Sequence, residues 1–259
     1  MFAGLRSILR EFLPPIGVFV LVCIALELLV RGGFVESFIL PPPSEVFSAL
    51  TEPGTDLYTG LARTARAALT GFTLSAFLGV GIAILLSMSP WIRRSLYPYA
   101  VFFQTVPIIA IAPMLVIWTN TQFQTVTAAA CIASIFPVIA STYVGLASTD
   151  PALRDMFKLY RAGPVTTLLK LRLPYALPSM FTGLRVAAGL SVIGALVGEF
   201  VGGGGLGAVI EGARPLLRND KVFAAVLLGS LLGLILFLIV GIASRVTLRH
   251  WHASAASEN

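Results

Sequence analysis

Residues Asp150–Pro174 read DPALRDMFKLYRAGPVTTLLKLRLP, a polar stretch set between long apolar runs. It carries Arg154, Lys158, Arg161, Lys170 and Arg172 against only Asp150 and Asp155. Yet Leu153, Met156, Phe157 and Tyr160 recur at helical spacing. A segment this charged stays out of lipid. Its apolar stripe suits an amphipathic helix laid into a partner's groove. The stretch predicts a short surface helix held by another protein.

Working outward, the flanks are far too apolar for a water-soluble fold. Hydrophobic residues make up 57% of the chain and charged residues 12%, where soluble domains run near a quarter charged. Mean hydropathy is +0.90. No charged residue occurs from Ser95 to Thr149. That block is more than twice the roughly 20 residues one span needs, and Thr119-Asn120-Thr121-Gln122 offers a polar turn near its middle. It reads as two helices, 98–118 and 124–147. The same logic gives spans at 13–30, 66–89, 175–199 and 222–244. The runs are continuous rather than alternating, which favours helices over a barrel. The expected fold is all-α: a polytopic membrane protein with six transmembrane helices, one domain over 1–259, a bundle core at 60–245 and a polar loop at 148–174.

Six spans place both termini on one side. Arg6, Arg10, Arg93, Arg94, the five basic residues of the polar loop, Arg245 and Arg249 share that side. Arg31, Arg63, Arg66, Arg214, Arg218 and Lys221 fall near the other face. The positive-inside rule then puts the termini and the polar loop in the cytoplasm. The isoelectric point near 9.7 follows from these short basic loops, and their scatter argues against nucleic-acid binding. Arg6 and Arg10 ahead of an apolar run imitate a signal peptide, but no small-x-small site follows Val30, so an uncleaved first span is expected.

Other signals have plain explanations. Ser44 is a candidate N-cap for a short helix through Leu50. Gly194/Gly198 and Gly229/Gly233 have the spacing that lets helices approach closely. The run Gly202–Gly207 matches G-x-G-x-x-G, but it follows a membrane span rather than a strand, so a flexible turn is expected there, not a nucleotide site. No P-loop motif occurs. Cys23 and Cys131 lie inside spans, and His250 and His252 flank Trp251 in the tail, so no metal site is indicated. No nucleophile, base and acid can be assembled, and enzyme catalysis is not expected.

Pro107 and Pro113 interrupt the third span and Pro137 the fourth. Proline at membrane depth frees a carbonyl, tolerable beside protein or a watery path. Gln104, Thr105 and Pro107, with the intramembrane charges Arg185 and Glu199, are the candidate pathway residues.

The polar loop, Leu173-Pro174 and the following Tyr175–Arg185 together resemble the inner-membrane permease subunits of bacterial ABC importers. The similarity is greatest to the nitrate, sulfonate and taurine group, which includes carriers for thiamine-pyrimidine and riboflavin-type compounds. The family pattern is an acid, two small residues, a glycine four positions on, and a later Leu-Pro pair. Asp155 and Leu173-Pro174 match it; Met156 and Phe157 replace the small residues, Arg161 stands at the glycine position, and Gly163 comes two residues late. Leu40–Val46 and the Gly198–Gly207 turn add to the likeness.

The resemblance implies a coupling helix around Asp155–Gly163, with Met156, Phe157 and Tyr160 as apolar anchors, Arg154, Lys158 and Arg161 orienting the docking, and Leu153 also in the contact. Ala162 and Gly163 belong to this contact, and Leu173-Pro174 would carry the motion onward. It implies two P-loop ATPase subunits that use ATP and Mg, a second permease copy forming a homodimer, an extracytoplasmic substrate-binding protein, and a place in the bacterial inner membrane. No cofactor would be held by this chain. The Tyr160–Gly163 variant and the Lys170–Pro174 run incline toward the heterocycle-carrying branch. An autonomous ion-driven transporter or channel is the competing function, although the charge-free block 95–149 lacks the midplane ionisable groups it needs. A membrane scaffold is the third, and it leaves the proline-broken span unexplained.

Overall fold

The structure, a computed structural model, describes residues 2–249. The side chains of residues 2–12, 15 and 103 are not described, nor is the tail with His250, Trp251 and His252. The elements are α1 (Phe2–Arg31), α2 (Pro43–Leu50), α3 (Leu57–Met88), α4 (Pro90–Thr105), α5 (Ile108–Trp118), α6 (Gln122–Ala147), α7 (Pro151–Leu159), α8 (Pro164–Thr167), a π turn (Leu168–Arg172), α9 (Leu173–Gly202), α10 (Gly205–Ala213), a 3₁₀ turn (Arg214–Leu216) and α11 (Asn219–Leu248). No strand occurs among the described residues. Four segments there are long and apolar enough to cross a membrane: α3, α6, the continuous run Pro164–Gly202, and α11.

The expected third span is not one helix. It breaks between α4 and α5, where Val106 is extended (φ −74°, ψ 121°). Proline at 107 disfavours helical backbone at the residue before it. The 11 residues of α5 cover only about 16 Å, roughly half the hydrocarbon thickness. The fifth span, by contrast, starts earlier than expected. Pro174 lacks the N–H an α-helix needs, yet the chain stays helical because the π turn widens the backbone just ahead of it, with Leu173 N–H bonding to Leu168 O.

The contacts divide the chain into two units. The first comprises residues up to Tyr58 together with Val209–Leu227. Within it, the Glu27 carboxylate accepts from Arg31 Nε (2.6 Å), Ser44 N–H (3.0 Å) and the Ser44 hydroxyl (2.7 Å). Ser44 therefore lies inside the first turn of α2; the N-cap is Pro42, not Ser44. Arg218 bridges Glu52 (2.8 Å) and Asp220 (2.9 Å) and holds the Glu52 carboxyl below its usual range.

The second unit, Thr59–Ala208 with Leu228 onward, holds the main core. Ala67 and Ala68 of α3, Val126 and Ala130 of α6, Ala188, Val192 and Ala195 of α9, and Leu236 and Val240 of α11 pack together. Small residues dominate because α6 and α9 nearly touch backbone to backbone. A Cβ at Gly183 would lie 2.6 Å from Pro137 O, and one at Gly194 2.7 Å from Ala129 O. Gly198 meets Val126 Cα in the same way. The second glycine pair is different: a Cβ at Gly229 would lie 3.2 Å from Leu196, whereas one at Gly233 would meet nothing in this chain within 4 Å. Gly194→Val should therefore cost about 1–3 kcal/mol through overpacking, and Gly233→Ala almost nothing. Thermal midpoints in detergent distinguish the two.

Candidate functional site

At one end of the core, three helices finish or begin on a single guanidinium. Arg172, in the π turn, donates from Nε and Nη2 to Leu146 O (3.2 and 3.1 Å) and from Nη1 to Ser87 O (3.3 Å). Leu146 and Ser87 lie in the last turns of α6 and α3, where carbonyls have no partner within their own helix. Ser148 N–H and hydroxyl take Val144 O and Gly145 O, and Arg154 donates to Ala147 O, so each carbonyl in the last turn of α6 has a partner. Arg172 thus ties α3, α6 and the start of α9 together.

From this end projects α7. Asp150 caps it, its carboxylate accepting from Ala152 N–H at 2.8 Å. Its far end is a Schellman closure: Ala162 N–H bonds to Phe157 O and Arg161 N–H to Lys158 O, both at 2.9 Å. That geometry requires left-handed backbone at Arg161, where φ is +54°. The family pattern puts glycine at this position, and the conformation there is the one glycine adopts most readily. Gly163, at φ −65°, starts α8 instead. Arg161→Gly should raise stability by roughly 0.5–1 kcal/mol, seen as a higher thermal midpoint.

The surface of α7 differs in detail from the sequence expectation. Arg154 is half-buried, its Nη2 donating to Ala147 O at the end of α6. Lys158 pairs with Asp155 at 2.8 Å in full solvent, an interaction of small energy. Phe157 is half-buried. Leu153 and Met156 are partly open. The most exposed apolar residues are Leu159 at 85% and Tyr160 at 80%, followed by Val165 and Leu169 beyond the turn. Leu159 lies off the Leu153–Met156–Phe157–Tyr160 stripe, which is why the spacing passed over it. Ala162 is half-buried, Leu173 and Pro174 likewise.

The other end of the core carries a buried carboxylate. Glu199, near the end of α9 and 2% exposed, accepts from the Thr64 hydroxyl (2.7 Å) and from Gly207 N–H (2.9 Å). Thr64 in turn accepts from Leu206 N–H at 2.9 Å. Glu199 and Thr64 together satisfy the first N–H groups of α10, which no residue within that helix can do. The chain reverses between α9 and α10 through Gly203, Gly204 and Gly205, at φ +80°, +79° and +59°. The glycine run is thus a defined turn closed onto Glu199, rather than a loose one. Beside it lies a cavity of about 190 Å³ bordered by Arg63, Arg66, Gln122, Phe123 and the glycines.

The five candidate pathway residues do not form one site. Gln104, Thr105 and Pro107 are exposed around the α4–α5 break. Arg185 lies midway along α9, its Nη2 reaching Gly241 O of α11 at 3.5 Å. Glu199 is fourteen residues further, about 21 Å along the helix, with both oxygens engaged.

Residues 58–248 match the family described as binding-protein-dependent transport system inner membrane component. The chain is 35% identical to a probable ABC transporter permease protein of Haemophilus influenzae, over 85% of this chain and 90% of the relative. It is 33% identical to the formylaminopyrimidine transport permease ThiX of Halalkalibacterium halodurans (78% and 82% covered). It is 30% identical to the riboflavin transport system permease RibX of Chloroflexus aurantiacus (96% and 95%). In fold, it matches an inward-facing MetNI methionine ABC transporter with a TM-score of 0.64 at 18% identity, covering 78% of this chain and 99% of that one.

Proposed function

The chain belongs to the binding-protein-dependent transport system inner membrane component family, and from that premise we propose how its parts serve an ABC importer. As a permease subunit it forms the translocation pathway and is not itself an enzyme. α7 is the coupling helix: Leu159 and Tyr160, with Met156 beside them, enter an apolar groove on a cytoplasmic P-loop ATPase. The carrying observation is that this capped, solvent-exposed helix is bound to the end of membrane-crossing α6 through Arg154, and that the chain beyond it runs directly into the Arg172 clamp on α6 and α3. A push on α7 is passed through the π turn to α9, while α3 and α6 are held at the same guanidinium. This is a rigid connection between elements that switch access from one side to the other.

The full importer contains two ATPase subunits, which bind ATP and Mg, and a second copy of this chain. An extracytoplasmic binding protein delivers the cargo. Both termini and α7 face the cytoplasm of a bacterial inner membrane, in keeping with the basic residues on that side. The cargo is a small polar solute. Relatives are named for formylaminopyrimidine and riboflavin, and others for aliphatic sulfonates and nitrate. Affinity purification of the tagged chain in mild detergent, followed by mass spectrometry and an ATPase assay, tests the assignment. A co-purifying P-loop ATPase with measurable turnover is expected; recovery of the chain alone under every detergent condition would favour an autonomous transporter.

A further inference from the structure

We propose that the cavity beside the glycine turn is an oxyanion site, with Arg63 and Arg66 as its binding groups. The two arginines are three residues apart on α3, hence neighbours on one helix face. Both are exposed and border the same cavity. Among the described residues neither guanidinium is in an ion pair. The carboxylate in the wall, Glu199, does not neutralise them through a direct contact: its oxygens are taken by Thr64 and Gly207 N–H. The cavity therefore keeps a net positive lining.

Its wall is also fixed. The guanidinium of Arg66 lies over the Phe123 ring, 5.8 Å from its centroid, and Gln122 Nε2 donates to Gly202 O at 2.8 Å. The three glycines bring bare backbone to the rim. A volume of about 190 Å³ is below that of typical drug-sized pockets but holds a sulfonate, carboxylate or phosphate group with a few waters. The planar guanidinium fork matches those groups in geometry and charge. This inference rests on the permease reading, in which this end of α3, α6 and α9 meets incoming cargo. A lipid phosphate presents the same chemistry, so the test separates the two sources.

The full-length chain is purified in a maltoside detergent as wild type, Arg63→Gln/Arg66→Gln and Arg63→Lys/Arg66→Lys. Thermal midpoints are followed against methanesulfonate, with chloride at matched ionic strength as reference, and retained phosphatidylglycerol is counted by native mass spectrometry. We expect apparent affinity for one of the two probes to fall at least tenfold in the glutamine variant, with partial recovery in the lysine variant. A lost methanesulfonate response assigns the site to cargo; lost lipid retention assigns it to a headgroup. Unchanged responses to both probes would overturn the proposal. Because both side chains are exposed, the ligand-free midpoint should match wild type; if the double variant is unstable, each single variant is read in its place. No ATPase is needed for this measurement, so failure of the importer reading would show separately, in the purification.

Discussion

Leu159→Asp is expected to abolish ATP-driven uptake while the protein folds and inserts normally. The side chain is 85% exposed, and exposed substitutions of this kind usually change stability by no more than about 0.5 kcal/mol. Its expected place, however, is an apolar groove on the ATPase. Central apolar residues of such contacts contribute 2 kcal/mol or more on truncation. A carboxylate without a partner there costs further desolvation. Together these give a loss of roughly 3 kcal/mol, or about 100-fold in ATPase affinity. Uptake in reconstituted vesicles should fall to background, with an unchanged thermal midpoint for the isolated chain. Phe157→Asp should behave differently. Phe157 is half-buried, so that variant should lose stability as well as coupling, and it is the poorer probe.

The second large effect lies at the opposite end of the core. At Gly205, φ is +59°, and a Cβ would fall 1.8 Å from Glu199 Oε1. Gly205→Ala therefore pays twice. Left-handed backbone costs alanine about 1–2 kcal/mol. The carboxylate must also move away from Thr64 and Gly207 N–H, leaving buried polar groups unsatisfied at about 1–3 kcal/mol. A total near 3–4 kcal/mol should leave little folded protein in detergent. Adding Glu199→Ala removes the atoms in the way, so the double variant should be less damaged than the sum of the single changes. A thermal-midpoint cycle over the four proteins measures that coupling. Strictly additive effects would mean that the turn does not close on Glu199.

The helical membrane fold was readable because long uncharged runs leave few alternatives in lipid. The position of α7 was readable for the opposite reason, since five basic residues cannot be placed in the bilayer. Which of its apolar residues lie open to solvent was not. Periodicity identifies the stripe Leu153–Met156–Phe157–Tyr160 but does not say which residues the protein's own body covers, and Leu159 was missed on that account. Arg161 shows sequence and structure agreeing through a departure: the glycine position keeps its left-handed backbone although the residue has changed. Arg172 and Thr64 were hidden for another reason. Arg172 bonds backbone groups of Leu146 and Ser87, 26 and 85 residues away, and Thr64, besides donating to Glu199, takes the backbone N–H of Leu206, 142 residues away. Backbone groups leave no compositional trace. The break at Val106–Pro107 was signalled by proline, but the third span also holds Pro113, inside α5, where the helix continues.

The central claim is that α7 is the contact with the ATPase, and site-specific photo-cross-linking tests it most directly. A photoreactive residue is placed at Tyr160, exposed at the end of α7, and for comparison at Trp118, exposed at the end of α5. The membrane complex is illuminated with and without ATP. The probe at 160 should capture a P-loop ATPase subunit, with a yield that changes on adding ATP, and the probe at 118 should not. Capture of lipid alone at 160, or equal capture of the ATPase from both positions, would contradict that claim.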